Sequence, residues 1–218
     1  MKYQEEAGLT RDSVVNLSER RVIQSISRLQ PIERHWDAAR AGRIVPSRSD
    51  IDPRQMSSVL EHAFILERLA TGLARFRLAG SHVNDLVGLE VRGMPLSSIF
   101  TPDGRRVLSD ALQAVFDEPA TVRLLLECPA EFGRPEITGE MILLPLRSDL
   151  GDVTRILGGL VMHGDVGRRP RRLSIGGQTR QTLTGYAKVA SDAPVPVAVP
   201  AVEPRVSRGH LTLVVDNC

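Results

Sequence analysis

The chain has 218 residues, 42% hydrophobic and 25% charged, which fits one ordinary globular domain with an extension and excludes a disordered, collagenous or disulfide-rich protein. Its 28 Lys and Arg stand against 26 Asp and Glu, so total charge makes no case for DNA or an acidic membrane surface. Two cysteines, Cys128 and Cys218, make no disulfide framework, Glu5 and Glu6 sit where a signal peptide needs an apolar core, and no apolar window is long enough to span a membrane, so a cytoplasmic protein is expected.

From Ser18 to Gln30 the residues Val22, Ile23, Ile26 and Leu29 recur at helical spacing, with Arg20, Arg21 and Arg28 outside them. This predicts an amphipathic helix over about 18–30. Pro31 either kinks it or opens a second helix, which carries Ile32, Trp36 and Ala39 on one face and stops at Gly42. Residues 43–53 read as an extended connector, and Asp52 followed by Pro53 as a cap and first position of a short helix to about Leu60.

Strands are predicted near 62–67 and 73–79, the second from the alternation of Ala74, Phe76 and Leu78 with Arg75 and Arg77. Gly80 ends that strand, Ser81 caps a short helix over 82–87, and Gly88 stops it. Residues 96–100 and 103–116 read as helical, with Leu108, Leu112 and Val115 inward and Pro119 closing the second segment. Three further strands, near 121–128, 136–146 and 154–163, are joined by turns short enough for antiparallel hairpins.

Composition changes after Gly164. Residues 164–218 hold eight basic and four acidic side chains, including the run Arg168, Arg169, Arg171 and Arg172, and end in a Pro/Val/Ala tract with a last apolar strip at 211–215. Without interleaved aromatics the arginine run is read as a solvated charge cluster. The expected organisation is an N-terminal extension over 1–31, a folded domain over 32–164 and a largely flexible tail over 165–218.

Little in the chain points to catalysis. Asp50 and Asp52 could serve as an acid/base pair, although Asp52 before Pro53 also suits a helix cap, and Arg48 with Asp50 suits an ion pair that fixes the connector. The five histidines, His35, His62, His82, His163 and His210, show no zinc spacing. Glycines 88, 93, 158 and 159 form neither a dinucleotide fingerprint nor a phosphate loop. The sequence names no metal and leaves the cofactor unknown.

Helices, two antiparallel strands, short helices, one longer helix and three strands make an α+β order. In that order lie Trp36 with Arg40 and Gly42, then Arg48, Asp50, Asp52 and Pro53 in the connector, then Arg77-Leu78-Ala79-Gly80 at a strand end, and Gly88 with Gly93. These pieces resemble a family of bacterial PAS-like proteins over roughly residues 32–163. The resemblance implies a five-stranded antiparallel sheet in the order 2-1-5-4-3, with the central helices on one face over a pocket. It also implies a sensory module that acts in signal transduction by touching a separate protein, and helices flanking such domains commonly pair two copies, so a homodimer through residues 18–30 is expected. A haem version would use an axial histidine, for which His82 is the one candidate; a flavin photosensor would need a cysteine at 81–87, and none is there. Candidate pocket residues are Phe76, Leu78, Leu124, Met141 and Met162, on the expectation that Phe76 and Leu78 share a face. The competing expectation is a small α+β enzyme using the same cavity with Asp50 or Asp52.

Overall fold

The computed structural model describes residues 17–184, and of 17–27 only the backbone. Helix α1 runs Leu17–Arg40 without interruption. Pro31 lies inside it, so the predicted boundary at residue 31 falls within one continuous helix. The connector then turns through two 3₁₀ segments, Arg48–Asp50 and Pro53–His62.

Strands β1 (Ala63–Ala70) and β2 (Leu73–Ala79) form the first hairpin. Helix α2 follows at Ser81–Val87, capped by Gly80 rather than Ser81, and after a 3₁₀ turn at Leu96–Ile99 comes α3, Pro102–Asp117. Thr101 caps α3 by accepting the Gly104 N–H, and Pro102 occupies a first-turn position where its missing N–H costs nothing. Strands β3 (Ala120–Cys128), β4 (Ile137–Arg147) and β5 (Val153–His163) form the predicted meander.

All pairings are antiparallel, in the order β2-β1-β5-β4-β3-β6. The first five positions reproduce the expected order. The sixth strand, β6 (Ser174–Thr182), is a correction: the sequence places this segment in a flexible tail, but it pairs along β3 from Ala120 to Glu127. The sheet therefore has two unlike edges. At β2, Phe76 donates its N–H to the Met94 carbonyl and accepts from the Gly93 N–H, so the 93–95 segment covers that edge. At β6, no described residue pairs with the outer side.

The sheet is covered on both faces. One carries Phe64, Leu66, Phe76, Leu124, Met141 and Leu143, all buried, beneath α2 and α3. The other packs against α1 through Leu29 and Ile32, both fully buried. Gly158 and Gly159 in β5 make this possible. A Cβ on Gly158 would strike the Phe64 ring at 2.0 Å, and one on Gly159 would meet Leu29 and Ile32 at 2.7 and 2.8 Å. The pair admits an aromatic ring on one face and a helix on the other. Leu29, expected in a dimer contact, instead packs on its own sheet; the side chains of Val22, Ile23 and Ile26 lie outside the described residues.

Candidate functional site

The connector between α1 and β1 is held by its polar residues. Asp50 accepts from Arg43 Nη2 at 2.7 Å and from the Ser47 N–H at 2.8 Å. The expected Arg48–Asp50 pair is thus replaced by Arg43–Asp50. Asp52 caps the following 3₁₀ helix by accepting the Arg54 N–H at 3.0 Å, and its own N–H donates to His35 Nε2 at 3.1 Å. Both aspartates serve the backbone. Neither lines the adjacent cavity.

Trp36 and Arg40 fix the other side of this bracket. Trp36 Nε1 donates to the Pro145 carbonyl at 2.8 Å, tying α1 to β4 across the sheet. The Arg40 guanidinium lies 5.4 Å from the centre of the indole and pairs with Asp37 at 2.9 Å. Gly80, at the end of β2, is required by contact: a Cβ there would lie 2.2 Å from the Glu61 carbonyl oxygen. This lets the end of the 53–62 helix rest against the start of α2.

Between that helix and the β1–β2 hairpin lies a cavity of about 470 Å³. Ile51, Met56, Leu60, Ile65, Leu78 and Leu157 supply its apolar wall, with Arg48 and Glu61 as its charged lining. It opens on the α1 side of the sheet, and the reason lies in β2. Ile65 pairs with Leu78 and Leu66 with Phe76, so Arg77 is an extra residue that shifts the register. Phe76 and Leu78 consequently point to opposite faces. Leu78 lines the cavity at 51% exposure, whereas Phe76 is fully buried under the central helices.

Of the predicted pocket residues, Phe76, Leu124, Met141 and Met162 are thus gathered on the α3 face, buried in the core, while Leu78 stands apart on the other face. Leu124 and Met141 are direct cross-strand partners. None of these four lines the cavity beside Leu78. Arg77 is 53% exposed at the side chain and lies 3.6 Å from Glu67, which also pairs with Arg75 and Arg155 at 2.7 Å each. That ring of arginines holds the Glu67 carboxyl below the usual carboxylate range, chiefly through the hydrogen bond from Arg75.

Two polar clusters were not foreseen. His62 and His82 meet edge to face at 4.6 Å beside the cavity. His82 Nε2 accepts the Met162 N–H at 3.1 Å, and burial pushes this imidazole down to about 4, with His62 adding to the effect. Burial lowers His62 too, against the opposing pull of Glu61, and its Nδ1 has no hydrogen-bond partner. With its Nε2 lone pair already committed, His82 is poorly placed to be an axial haem ligand through that atom.

The second cluster lies under α1. Arg123 donates to Glu140 at 2.6 Å and also pairs with Glu33 of α1. Glu140 is 1% exposed, and burial pushes its carboxyl up despite Arg123. Of the arginine run, Arg168, Arg169 and Arg172 are exposed as expected, but Arg171 is drawn into the fold. Arg171 is 3% exposed and donates to the carbonyls of Val166, Cys128 and Pro135, and Arg172 Nη1 donates to the Ser98 carbonyl at 2.9 Å.

Among the described residues no group of three or more His, Cys, Asp or Glu is placed to hold a metal ion, and no helix is long and apolar enough to cross a membrane. The family model described as a PAS domain matches residues 24–161. No curated protein matches the chain.

Proposed function

The chain belongs to the PAS domain family, and from that premise we propose that it is a non-catalytic regulatory module of the cytoplasm, which acts by binding another signalling protein and is tuned by a small ligand. Family membership carries this reading, because the match runs from within α1 into β5. The use of Asp50 and Asp52 supports it: the two carboxylates best suited to acid/base work are spent on the connector and the helix cap. Residues 18–30 are proposed to pair two copies, through Val22, Ile23 and Ile26, since Leu29 is taken up by the sheet.

Native mass spectrometry of the chain purified from its own cells tests the reading. A stoichiometric complex with a second protein is expected, and any retained small molecule should keep its mass on incubation. A bound molecule converted to product overturns the non-catalytic assignment. For the pairing, charged substitutions at Ile23 and Ile26 should turn a dimer into a folded monomer in light scattering; a wild-type chain that stays monomeric at high concentration removes it.

A further inference from the structure

The cavity beside β1 and β2 is not the space under the central helices that the family resemblance implies. It lies across the sheet, on the side where α1 packs, and its wall is apolar on three elements: Ile51 and Met56 from the connector, Ile65 and Leu78 from the hairpin, and Leu157 from β5. Its volume, about 470 Å³, falls within the roughly 300–1,000 Å³ typical of small-molecule sites. Leu78 is 51% exposed there although its cross-strand partner Ile65 is buried.

The charges on the lining are unequal in their commitments. The Arg48 side chain has no hydrogen-bond or ion-pair partner among the described residues, and Asp50, its neighbour two residues on, pairs with Arg43 at 2.7 Å instead. Glu61 turns outward: its side chain is 61% exposed and its carboxylate lies 3.3 Å from His62 Nε2. The lining of this largely apolar cavity therefore includes one arginine whose guanidinium is uncommitted among the described residues. A planar guanidinium fork is matched in shape and charge by a carboxylate.

Resting on the regulatory reading above, we propose that this cavity binds a medium-chain aliphatic carboxylate, its chain along Ile65, Leu78 and Leu157 and its head group on Arg48. Chain burial supplies the affinity, and Arg48 selects the acid over a neutral analogue of equal length. The bulge at Arg77 is what makes the site, since in an unbulged strand Arg77 would take the place opposite Ile65 and Leu78 would share the core face of Phe76.

Decanoate, decanol and octanoate, each below its aggregation limit, are titrated calorimetrically into the full chain and into two variants. Decanoate should bind one per chain. Octanoate should bind about fifteenfold more weakly, since each of its two missing methylenes contributes roughly a fourfold factor. Arg48→Ala should weaken decanoate at least tenfold and leave decanol unchanged, and Leu78→Asp, at an exposed position, should abolish both while circular dichroism shows a retained fold. No saturable decanoate binding to the wild-type chain overturns the proposal, as does an Arg48→Ala variant that weakens acid and alcohol alike. So does a Leu78→Asp variant that changes only the oligomeric state, which would make this face a contact between copies. Decanoate that binds without altering any protein complex leaves the site standing and removes the regulatory reading; a protein complex in a chain that ignores decanoate does the reverse.

Discussion

The two faces of the sheet are built on different principles. Under α2 and α3 the contact is apolar, with Phe64 and Phe76 edge to face at 5.6 Å and Leu124, Met141 and Leu143 fully buried around them. Under α1 and the connector the same sheet meets a Glu33–Arg123–Glu140 network, a histidine pair at its margin and an open cavity. Dispersion and water exclusion hold the first face with no preference for a state of charge. The second is held in part by charges taken out of water, which makes it responsive to pH and to whatever neutralises them. A single protein can thus keep a rigid side and a responsive side on one set of strands.

The largest expected contrast lies between the two apolar positions that flank Arg77 in β2. Phe76→Ala should cost about 3–5 kcal/mol, because it empties a fully buried ring site. Leu78→Ala, at 51% exposure, should cost less than about 1 kcal/mol. Urea titration of both variants checks this, and equal losses would dissolve the distinction between the faces. Next in size, Arg123→Ala should cost about 3 kcal/mol by leaving Glu140 buried without its partner. The double variant Arg123→Met with Glu140→Leu should recover most of that loss, since an apolar pair needs no solvation. Recovery would show that the network contributes specificity of helix placement more than stability.

The pH response is smaller and has a definite sign. His62 and His82 are lowered by burial, His82 to about 4, so the unfolded chain takes up protons near the ordinary histidine value of about 6.5 before the folded chain does. Stability should therefore fall as pH drops below about 6.5 and level off near 4, where folded His82 protonates. For His82 alone the loss is at most about 3 kcal/mol, and nearer 1–2 once its partial exposure is discounted. Glu140 acts in the opposite direction: its raised carboxyl gains from acidification, so Glu140→Gln should deepen the acid loss. Chemical denaturation at stepped pH, with His82→Asn as the reference, separates the two. Smallest of all, Asp50→Ala should cost about 1 kcal/mol through its lost bonds to Arg43 and Ser47, while Arg48→Ala should leave the urea midpoint unchanged.

The rigid face was far more legible in the sequence than the responsive one. Alternation of Val122, Leu124, Leu126 and Cys128 announces β3 because every second residue enters the core. No such signal marks β6: Ser174–Thr182 contains two adjacent glycines and mostly polar residues, and it pairs as an edge strand with little burial. The cavity was hidden for a different reason. Alternation alone puts Phe76 and Leu78 on one face, and the extra residue Arg77 is set by pairing to β1, a long-range fact that local pattern does not carry. Arg171 was misread because charge runs ordinarily face water, whereas here three backbone carbonyls take the place of solvent. Asp52 with Pro53 was legible because a cap needs only its immediate neighbours.

The unequal edges of the sheet give the molecule a direction. With the 93–95 segment lying along β2, the Phe76 N–H and carbonyl on that flank are already engaged, whereas no described strand pairs with the outer side of β6. Among the described residues, the rim open to an extended peptide joining this sheet by main-chain pairing is the polar, glycine-bearing strand β6. A guest on that rim would be read chiefly by its backbone, since Gly176 and Gly177 offer no side chains to sort its sequence. Among the described residues one rim is open, so an edge-to-edge pairing of two copies at β6 would use that rim in both.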